Sequence, residues 1–377
     1  MDKFKSERHL DMKEKGIIST NQYVWMLYSV ITAFTVLEVP GILIYYAGRD
    51  AWISVVGAWF LDVLLAIVYA YMGLRFPGQN LVQYSMTILG KFAGRIVGSM
   101  FPLFFLMVTS LVMRFLVTLI TKLFLPKTPM EVLLAIGYIL IAYGVRKGIE
   151  TIARVCEVLG PIFLLSMITL FVLLIPKVQL HRLKPMLTQG VYPFLTGIPF
   201  ILSFIGICII MGMYIPICSR PKNGFLGKLI AVSIGAAMTI ILVIFSISVF
   251  GAEQAGNMIN PGFQLVRLAN IGSFLERLEI ILLIVAFTAG IMTSANFIWA
   301  FSLGISQIAG LSTYKPLVYP AVLIAFVLNL TTFDTAIEVF NFATYSFLFI
   351  AIFVEVGLEM LLFIAALILK KRGNKIL

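Results

Sequence analysis

Residues 32–41 read TAFTVLEVPG, which places a carboxylate and a Pro-Gly pair deep inside an otherwise apolar block. Proline removes a backbone hydrogen-bond donor and clashes with the preceding helical turn, and glycine loosens the backbone further. We therefore expect the helix that contains this stretch to be broken near Pro40. A simple kink that binds nothing is the alternative, because Pro and Gly are common in membrane helices.

A second interruption lies farther along the chain, where GIP at residues 197–199 is followed by SFIG at residues 203–206. The two interrupted blocks are the first and the sixth of ten. If the chain consists of two five-helix repeats, the breaks occupy matching positions. Broken helices at corresponding places in two halves indicate a transporter-type binding site near the middle of the bilayer.

The composition places the whole chain in a membrane. Of its 377 residues, 61% are hydrophobic and 12% are charged, whereas soluble domains are about 45–50% apolar and about 25% charged. The apolar residues form ten blocks, each near the length of about 20 residues that a spanning helix needs. The blocks run roughly over residues 21–46, 52–74, 96–123, 130–145, 151–175, 191–217, 226–250, 273–308, 316–330 and 335–369.

The predicted fold is therefore an all-α polytopic membrane protein with ten transmembrane helices in a five-plus-five inverted repeat, LeuT-like, with helices 1 and 6 broken. A hydrophilic N-terminal tail covers residues 1–20, a single transmembrane domain residues 21–369, and a C-terminal tail residues 370–377. The two repeats run over about 21–175 and 191–369. The first block is too long for a signal peptide and lacks a cleavage site, so we expect it to remain as a helix.

The basic residues orient the chain. The net charge is +11, and 19 of the 28 Lys and Arg residues fall in the two tails and in the loops on the same side as the tails, Lys228 among them. Eight fall in the loops on the other side. This excess predicts that both termini are cytoplasmic. It also accounts for the basic balance without nucleic acid, which we do not expect as a partner.

The breaks define a candidate ligand site. The N-terminus of a half-helix attracts a carboxylate and freed backbone carbonyls attract an ammonium group, so a zwitterionic amino acid suits both. The candidate ligand-binding residues are Thr35, Glu38, Gly41, Ser203, Phe204 and Gly206.

Two charged residues, Glu38 and Arg114, lie at bilayer depth. They are 17 and 18 residues into their blocks, roughly 25 and 27 Å from the cytoplasmic end. Charges at this depth are costly, so we predict an ion pair between them. In the alternative, Glu38 contacts a ligand ammonium directly.

Other polar residues inside the apolar blocks leave two interpretations open. Asp62 is either a proton or polar-network site or a satisfied buried carboxyl. Thr293 and Ser294 either help to hold a sodium ion or pack helices together. Glu355 and Glu359 are placed near the inner end of the last block, close to the basic C-terminal tail.

Two loops are more than links between helices. Residues 80–91 are moderately amphipathic and are expected to lie at the inner membrane interface. Residues 251–272 include the turn signal Asn260-Pro261-Gly262 and either cap the outer mouth or form a plain surface loop.

Enzyme chemistry finds no support in the sequence. There is no HExxH, no G-x-S-x-G and no P-loop, and the two histidines lie in a tail and an outer loop. The three cysteines form no CxxC and are interpreted as small core residues. We expect no catalytic residue, no cofactor and no metal centre.

Several short motifs carry a family resemblance. They are AGRDAWIS at 47–54, RFPG at 75–78, LGK at 89–91, KGIETIAR at 147–154, and Ile18-Ser19 with Gln22. With these motifs the chain resembles, over essentially its whole length, the B subunits of bacterial spore germinant receptors, a branch of the amino acid/polyamine/organocation transporter superfamily. The SFIG stretch at 203–206 resembles the sixth-helix break of that superfamily, whereas the first break lacks a Gly-x-Gly and carries Glu38 instead.

The resemblance implies the inverted-repeat fold, residence in the inner membrane of a spore, and partner subunits A and C. It also implies a function, which is to sense a small nutrient such as an amino acid and trigger germination. The main alternative is an active amino-acid transporter of the same fold, coupled to protons or sodium. A membrane scaffold that binds no ligand is a third class.

Overall fold

The computed structural model describes residues 16–35, 39–187, 190–258, 260–268, 278–333 and 335–373, with the backbone alone at 34, 35, 123, 278–285 and 336. In these ranges the chain is helical apart from turns, loops and one isolated β-bridge between Ile18 and Cys218. This matches the all-α prediction. It also follows from the solvent, because a backbone in lipid must satisfy its own polar groups and a helix does so within one segment.

The described residues of the first half form seven α-helices. They are α1 Thr20–Thr35, α2 Val39–Ala47, α3 Ala51–Arg75, α4 Leu81–Leu89, α5 Lys91–Leu123, α6 Met130–Lys147 and α7 Ile149–Leu174. The boundaries lie within a few residues of the predicted blocks for α3, α6 and α7. Helices α1 and α2 cover the described parts of block one, and the break predicted from the Pro-Gly pair falls beside residues 36–38, which lie outside the described residues.

The second half begins with a helix that changes type. Helix α8 Tyr192–Ile205 continues as a 3-10 segment, Gly206–Ile210, and then as α9 Met211–Tyr214. There follow α10 Gly224–Phe250, α11 Ala252–Gly256, α12 Pro261–Leu268, α13 Leu278–Ala309 and α14 Val318–Thr331. The last rod combines α15 Ala336–Asn341, α16 Phe347–Ile352 and α17 Glu359–Ile368, joined by π-helical turns at Phe342–Ser346 and Phe353–Leu358.

Seven helical stretches among the described residues are long and apolar enough to cross a bilayer. The stretch Lys315–Thr331, which includes α14, is apolar but shorter. The polytopic membrane class is thereby confirmed. The count of ten spans stays a prediction, since α1 and α14 have 16 and 14 residues and reach only about 24 and 21 Å.

Helix α1 lies at the centre of the bundle and packs against α7, α10 and α13. Glycines on α10 make the approach close. A Cβ added at Gly235 would lie 2.8 Å from the Ile31 side chain, and one at Gly227 would lie 2.7 Å from the Tyr23 ring. Small residues at helix crossings increase van der Waals contact, which drives association where lipid tails provide no hydrophobic force. Helix α1 is thus held on several sides.

Main-chain hydrogen bonds gather four predicted cytoplasmic segments at one end of the bundle. Ile18 N donates to Ile217 O over 3.0 Å, which joins the N-terminal tail to the loop before α10. Gly373 N donates to Arg75 O over 3.2 Å, which joins the C-terminal tail to the loop after α3. This grouping is what the charge distribution predicts, and the side of the membrane that this end faces stays a prediction.

The opposite end is tied together by the motif that is most specific to the resemblance. Arg49 Nη1 donates to Lys184 O over 2.9 Å, and Leu187 N donates to the buried carboxylate of Asp50 over 3.0 Å. Gly48 has φ +58°, a left-handed conformation that a residue with a Cβ rarely adopts. The Gly-Arg-Asp sequence therefore fixes the loop between the two halves.

Lys228 and the segment 80–91 lie in different places from those predicted. Lys228 was counted with an inner loop, but it lies in α10 and is fully buried. Helix α4 begins with a capping box of Asn80 and Gln83, and most of its residues are buried against the bundle, so it is an integral element and not only an interfacial one.

The loop 251–272 carries α11 and α12, and a Cβ at Gly41 would meet Met258 O at 2.8 Å. In its described part this loop packs on α2 and covers that end of the helix.

Candidate functional site

The interruption in the second half lies at Gly206. Helix α8 tolerates Pro199 internally, and regular α-helical hydrogen bonding ends at Ile205, where the 3-10 segment Gly206–Ile210 begins. That segment is fully buried and contacts α1 on one side, where Cys208 Sγ lies 3.9 Å from Leu27 O. The predicted break of the sixth block is therefore present at the centre of the protein.

The predicted interruption in the first half falls between α1 and α2, on residues 36–38, which lie outside the described residues. Helix α1 ends at Thr35, and α2 begins at Val39 with Pro40 in its first turn, where a missing N–H costs little. Glu38 and the side chain of Thr35 fall outside the described residues. Their predicted contact with a ligand, and the pairing of Glu38 with Arg114, therefore stay predictions.

A carboxylate from the last rod faces the Gly206 break. Glu355 is fully buried in the π-helical turn Phe353–Leu358, and a Cβ added at Gly206 would collide with Glu355 Oε2. Neither oxygen of Glu355 has a hydrogen-bond partner among the described residues. A buried polar group without a hydrogen-bond partner is costly. In a native structure such a group is usually explained by a functional role or by a bound water or ion. Single π-helical turns are also frequent at functional sites.

Glu355 continues into a polar chain that crosses the bundle, formed by Asp62, Lys228, Tyr69 and Glu355. Tyr69 Oη donates to Glu355 O over 2.7 Å, and Lys228 Nζ lies 4.4 Å from the centre of the Tyr69 ring. Lys228 Nζ also pairs with Asp62 Oδ1 at 2.8 Å. We call these four residues the buried polar chain. It links α3, α10 and the last rod to the break in α8.

The ion pair in this chain accounts for Asp62. Both side chains are almost completely buried, and Asp62 Oδ2 has no hydrogen-bond partner within the described part of the protein. Lys228 thus satisfies one oxygen of Asp62, and both interpretations, a proton or polar-network site and a satisfied buried carboxyl, stay predictions. Removing one member of a buried pair leaves an uncompensated charge, which costs about 3–5 kcal/mol.

The sequence did not lead us to Lys228, Tyr69 or Glu355. Glu355 was placed near the inner end of its block, yet it lies 14 residues before Leu369, a rise of roughly 21 Å. This distance from the end of the block is the feature of the sequence that indicates a carboxylate deep in the membrane. The neighbouring Glu359 is also buried and accepts from Tyr84 Oη at 2.9 Å, so neither carboxylate is described as paired with the basic tail.

Ser203 and Phe204 lie in the last turn of α8 before the break. Ser203 Oγ donates to Phe200 O over 2.7 Å within the same helix, and the Phe204 ring packs 5.0 Å from the Phe347 ring. Both residues are buried beside Gly206. Phe204 forms an aromatic wall, while the Ser203 hydroxyl is already engaged.

Gly41 lies apart from the other candidates. It packs against the loop between α10 and α13 near Met258 and Pro261, whereas Gly206 packs against the last rod. The described residues thus bring Ser203, Phe204, Gly206 and Glu355 together. They do not bring Gly41 to the same contact.

The hydroxyl pair on α13 divides between two environments. Thr293 Oγ1 donates to Ser29 O over 2.8 Å and so joins α13 to α1. Ser294 Oγ is buried and has no hydrogen-bond partner among the described residues. Helix packing explains Thr293, and the sodium interpretation of this pair stays a prediction.

Arg114 anchors the end of α14. Its Nη1 donates to Asn329 O over 3.0 Å and its Nη2 to Phe333 O over 2.7 Å. A guanidinium at the C-terminal end of a helix satisfies carbonyls that have no partner in the helix and matches the helix dipole. This contact gives Arg114 a structural role that does not require Glu38.

Three aromatic side chains in the same interior carry buried polar groups that are not engaged. The rings of Tyr214 and Trp299 stack with centres 5.7 Å apart. Tyr214 Oη, Trp299 Nε1 and Tyr28 Oη are buried without a hydrogen-bond partner in the described ranges. Together with Ser294 they give the interior between α1, α9 and α13 a polar character that the apolar blocks do not suggest.

A separate cavity of about 950 Å³ opens at the end of the bundle near the Gly-Arg-Asp motif. It is lined by residues 44–50 of the first half and by residues 250–257 of the second, apart from Ala255. Its walls therefore belong to α2 with the 3-10 turn that follows it, and to α11 with the residues on either side.

Comparison with known proteins identifies relatives over most of the chain. The model of the spore germination protein family (spore permease) matches residues 17–338. Spore germination protein KB of Bacillus subtilis (strain 168) is 25% identical over 367 residues, which cover 96% of this chain and 98% of that protein. Spore germination protein YndE of the same organism is 25% identical over 293 residues, covering 77% and 81% of the two chains.

Solved structures with the same architecture are transporters. A nucleobase-cation-symport-1 family transporter with bound bromovinylhydantoin superposes with a TM-score of 0.65 at 14% identity, covering 93% of this chain and 79% of that one. A Na⁺-coupled sialic acid symporter gives a TM-score of 0.61 at 14% identity, covering 90% and 78%. These likenesses confirm the predicted LeuT-like transporter fold. The chain is similar to membrane permeases and not to enzymes.

Proposed function

Because the chain belongs to the spore germination protein family, we propose that it is the membrane subunit of a nutrient germinant receptor. In this proposal it binds a small nutrient such as an amino acid in its transporter-like centre and triggers germination. The A and C subunits would be its partners, and the spore inner membrane its location, with both termini cytoplasmic. The family match supports a role in spore germination, while the ligand, the partner subunits and the spore inner membrane rest on the resemblance.

The observation that supports this function most directly is the unpartnered carboxylate of Glu355 against the Gly206 break. An amino acid brings an ammonium group that can donate to a carboxylate, and a charge-assisted hydrogen bond of this kind is about twice as strong as a neutral one. We propose that Glu355 receives the ammonium group, with Phe204 as an apolar wall beside it. Thr35, Glu38 and Gly41 remain proposed contacts from the first break.

The test is ligand-dependent thermal stabilisation of the purified, full-length chain, measured against a panel of amino acids. A ligand that binds the folded state raises its free energy of unfolding by about 2.7 kcal/mol at 100 times Kd. We expect at least one amino acid to stabilise the wild-type protein. We expect Glu355→Gln, which keeps the shape and removes the charge, to lose that stabilisation.

The matched control is Glu359→Gln. Glu359 lies one turn away in the same rod, is equally buried and is engaged by Tyr84. It should retain the response to the ligand even if its melting temperature falls. Equal responses of wild type and Glu355→Gln would exclude Glu355 as the ammonium contact, and no response to any nutrient would contradict the receptor function.

A second candidate, an active amino-acid transporter coupled to protons or sodium, is favoured by the transporter fold. Both functions require binding, but only the second requires the ligand to cross the membrane. Counter-flow uptake in liposomes separates them. Accumulation of labelled nutrient above the level of empty liposomes would favour transport, and binding without accumulation would favour the receptor.

A further inference from the structure

A groove lies on the surface of the helix bundle between α6 and α14. It is apolar along most of its length and basic at one end, and it is separate from the central site. It encloses about 790 Å³ and is lined largely by apolar and aromatic side chains. The lining residues on α6 lie at positions 135, 138, 139, 142, 143, 146 and 147. Residues three and four apart lie on the same face of a helix, so these positions form one continuous stripe. Many of them are exposed, Ile139 at 67% and Tyr143 at 65% among them.

Three cations close one end of this groove. Arg146 and Lys147 end α6, and Lys315 lies just before α14. The guanidinium of Arg146 lies 4.6 Å from the centre of the Tyr319 ring, and Lys147 Nζ lies 5.3 Å from that of Tyr143. The aromatic rings thus hold two of the positive groups over the mouth of an apolar channel.

No acidic side chain in the described part of the chain forms an ion pair with these three cations, since the ion pairs found there are Arg154–Glu150 and Lys228–Asp62. Glu150 is the acid nearest to Lys147 in sequence. It pairs with Arg154 and also accepts from Ile17 N over 3.0 Å. The positive end of the groove is therefore uncompensated within the described protein.

The dimensions indicate a lipid. From Ala135 to Lys147 the stripe rises roughly 18 Å along α6. Half of the hydrocarbon core of a bilayer is about 15 Å thick. An apolar channel one leaflet deep that ends in cations matches an acyl chain with an anionic headgroup, and basic sites between transmembrane helices are known to hold such headgroups.

We propose that the groove between α6 and α14 binds an anionic phospholipid of the surrounding bilayer. Its phosphate lies among Arg146, Lys147 and Lys315, and an acyl chain lies along Tyr143, Ile139 and Leu323. The groove is preformed on its inner wall, because Tyr138 Oη donates to Ala325 O over 3.2 Å and so fixes α6 against α14. This inference does not depend on the identity of the nutrient.

The experiment measures lipid binding to the purified, full-length protein in detergent by native mass spectrometry and by thermal shift. Phosphatidylglycerol is titrated against phosphatidylcholine of the same chain length. We expect saturable binding and a raised melting temperature with phosphatidylglycerol, with at least tenfold weaker binding of phosphatidylcholine. Equal binding of the two lipids would overturn the proposal, and the groove would then be a surface for protein or bulk lipid.

A pair of triple variants separates the site from general charge. Arg146→Gln with Lys147→Gln and Lys315→Gln should weaken phosphatidylglycerol binding at least tenfold. Lys91→Gln with Arg95→Gln and Lys222→Gln removes the same charge from exposed positions outside the groove lining and should bind as wild type does. Equal losses in the two triples would contradict a specific site.

A last comparison tests the apolar part of the groove and the source of the phosphate. Ala135→Trp fills the channel and leaves the cations in place, so it should weaken binding of the long-chain lipid. Glycerol 3-phosphate at the same concentration should not compete. Competition by glycerol 3-phosphate would identify a free-phosphate site and would overturn the lipid assignment.

Discussion

At the scale of single residues, the feature with the largest expected effect is the buried pair of Asp62 and Lys228, whose charged atoms lie 2.8 Å apart. Asp62→Asn or Lys228→Met alone leaves one buried charge without its partner, which should lower the free energy of unfolding by about 3–5 kcal/mol. The double variant removes both charges and should recover most of that loss, because an apolar replacement of a buried pair is often neutral. The measurement is a double-mutant cycle of melting temperature in detergent. The exposed pair Glu150 and Arg154 is the matched control, and an exposed i,i+4 pair should show a coupling of only about 0.3–0.5 kcal/mol. Additive losses at Asp62 and Lys228 would mean that the two charges do not stabilise each other.

At the scale of elements, function is expected to depend on where α8 gives way to the 3-10 segment. Gly206 has no side chain, and this lets the last rod bring Glu355 against the break. Gly206→Leu should displace Glu355 and abolish the ligand-dependent stabilisation, while the protein still inserts into the membrane. Gly144→Leu is the matched control, because Gly144 also lies within a helix and a Cβ there would meet nothing within 4 Å. A normal nutrient response in Gly206→Leu would place the ligand site elsewhere, whereas a loss in both variants would indicate general damage to the fold.

At the scale of the whole molecule, the hydrogen bonds that join the tails to the loops after α3 and before α10 predict a single sidedness for all of them. With basic residues concentrated there, this end should face the cytoplasm. Cysteines introduced at Lys184 and Lys371, both exposed and at opposite ends, test the orientation in sealed cells. An impermeant maleimide should label the Lys184 position from outside and reach the Lys371 position only after permeabilisation. The three native cysteines are buried, so their background should be low. Labelling in the reverse order would invert the topology, and labelling of both from outside would contradict an odd number of spans between them.

The sequence by itself determined the membrane class, the positions of most helices and the break in the second half. These features are local. In lipid each helix satisfies its own backbone, so apolar blocks, Pro40 and Gly206 specify where helices run and stop without reference to the rest of the chain. The same locality explains why the sequence places Ser203, Phe204 and Gly206 at the break in the second half, while their contact with a ligand stays a prediction.

Only the tertiary structure decided which polar groups meet. Glu355 lies 149 residues from Gly206, and Lys228 lies 166 residues from Asp62. Hydropathy places each residue on a helix but says nothing of how that helix is rotated or which helix faces it, so Lys228 was counted with a loop and Glu355 with an inner helix end. Packing of the bundle, with glycines on α10 against α1 and a π-helical turn in the last rod, sets those rotations. The pairing of Asp62 with Lys228 is fixed by the joint fit of several helices, because a buried charge is costly unless a packed neighbour supplies a counter-charge or a donor.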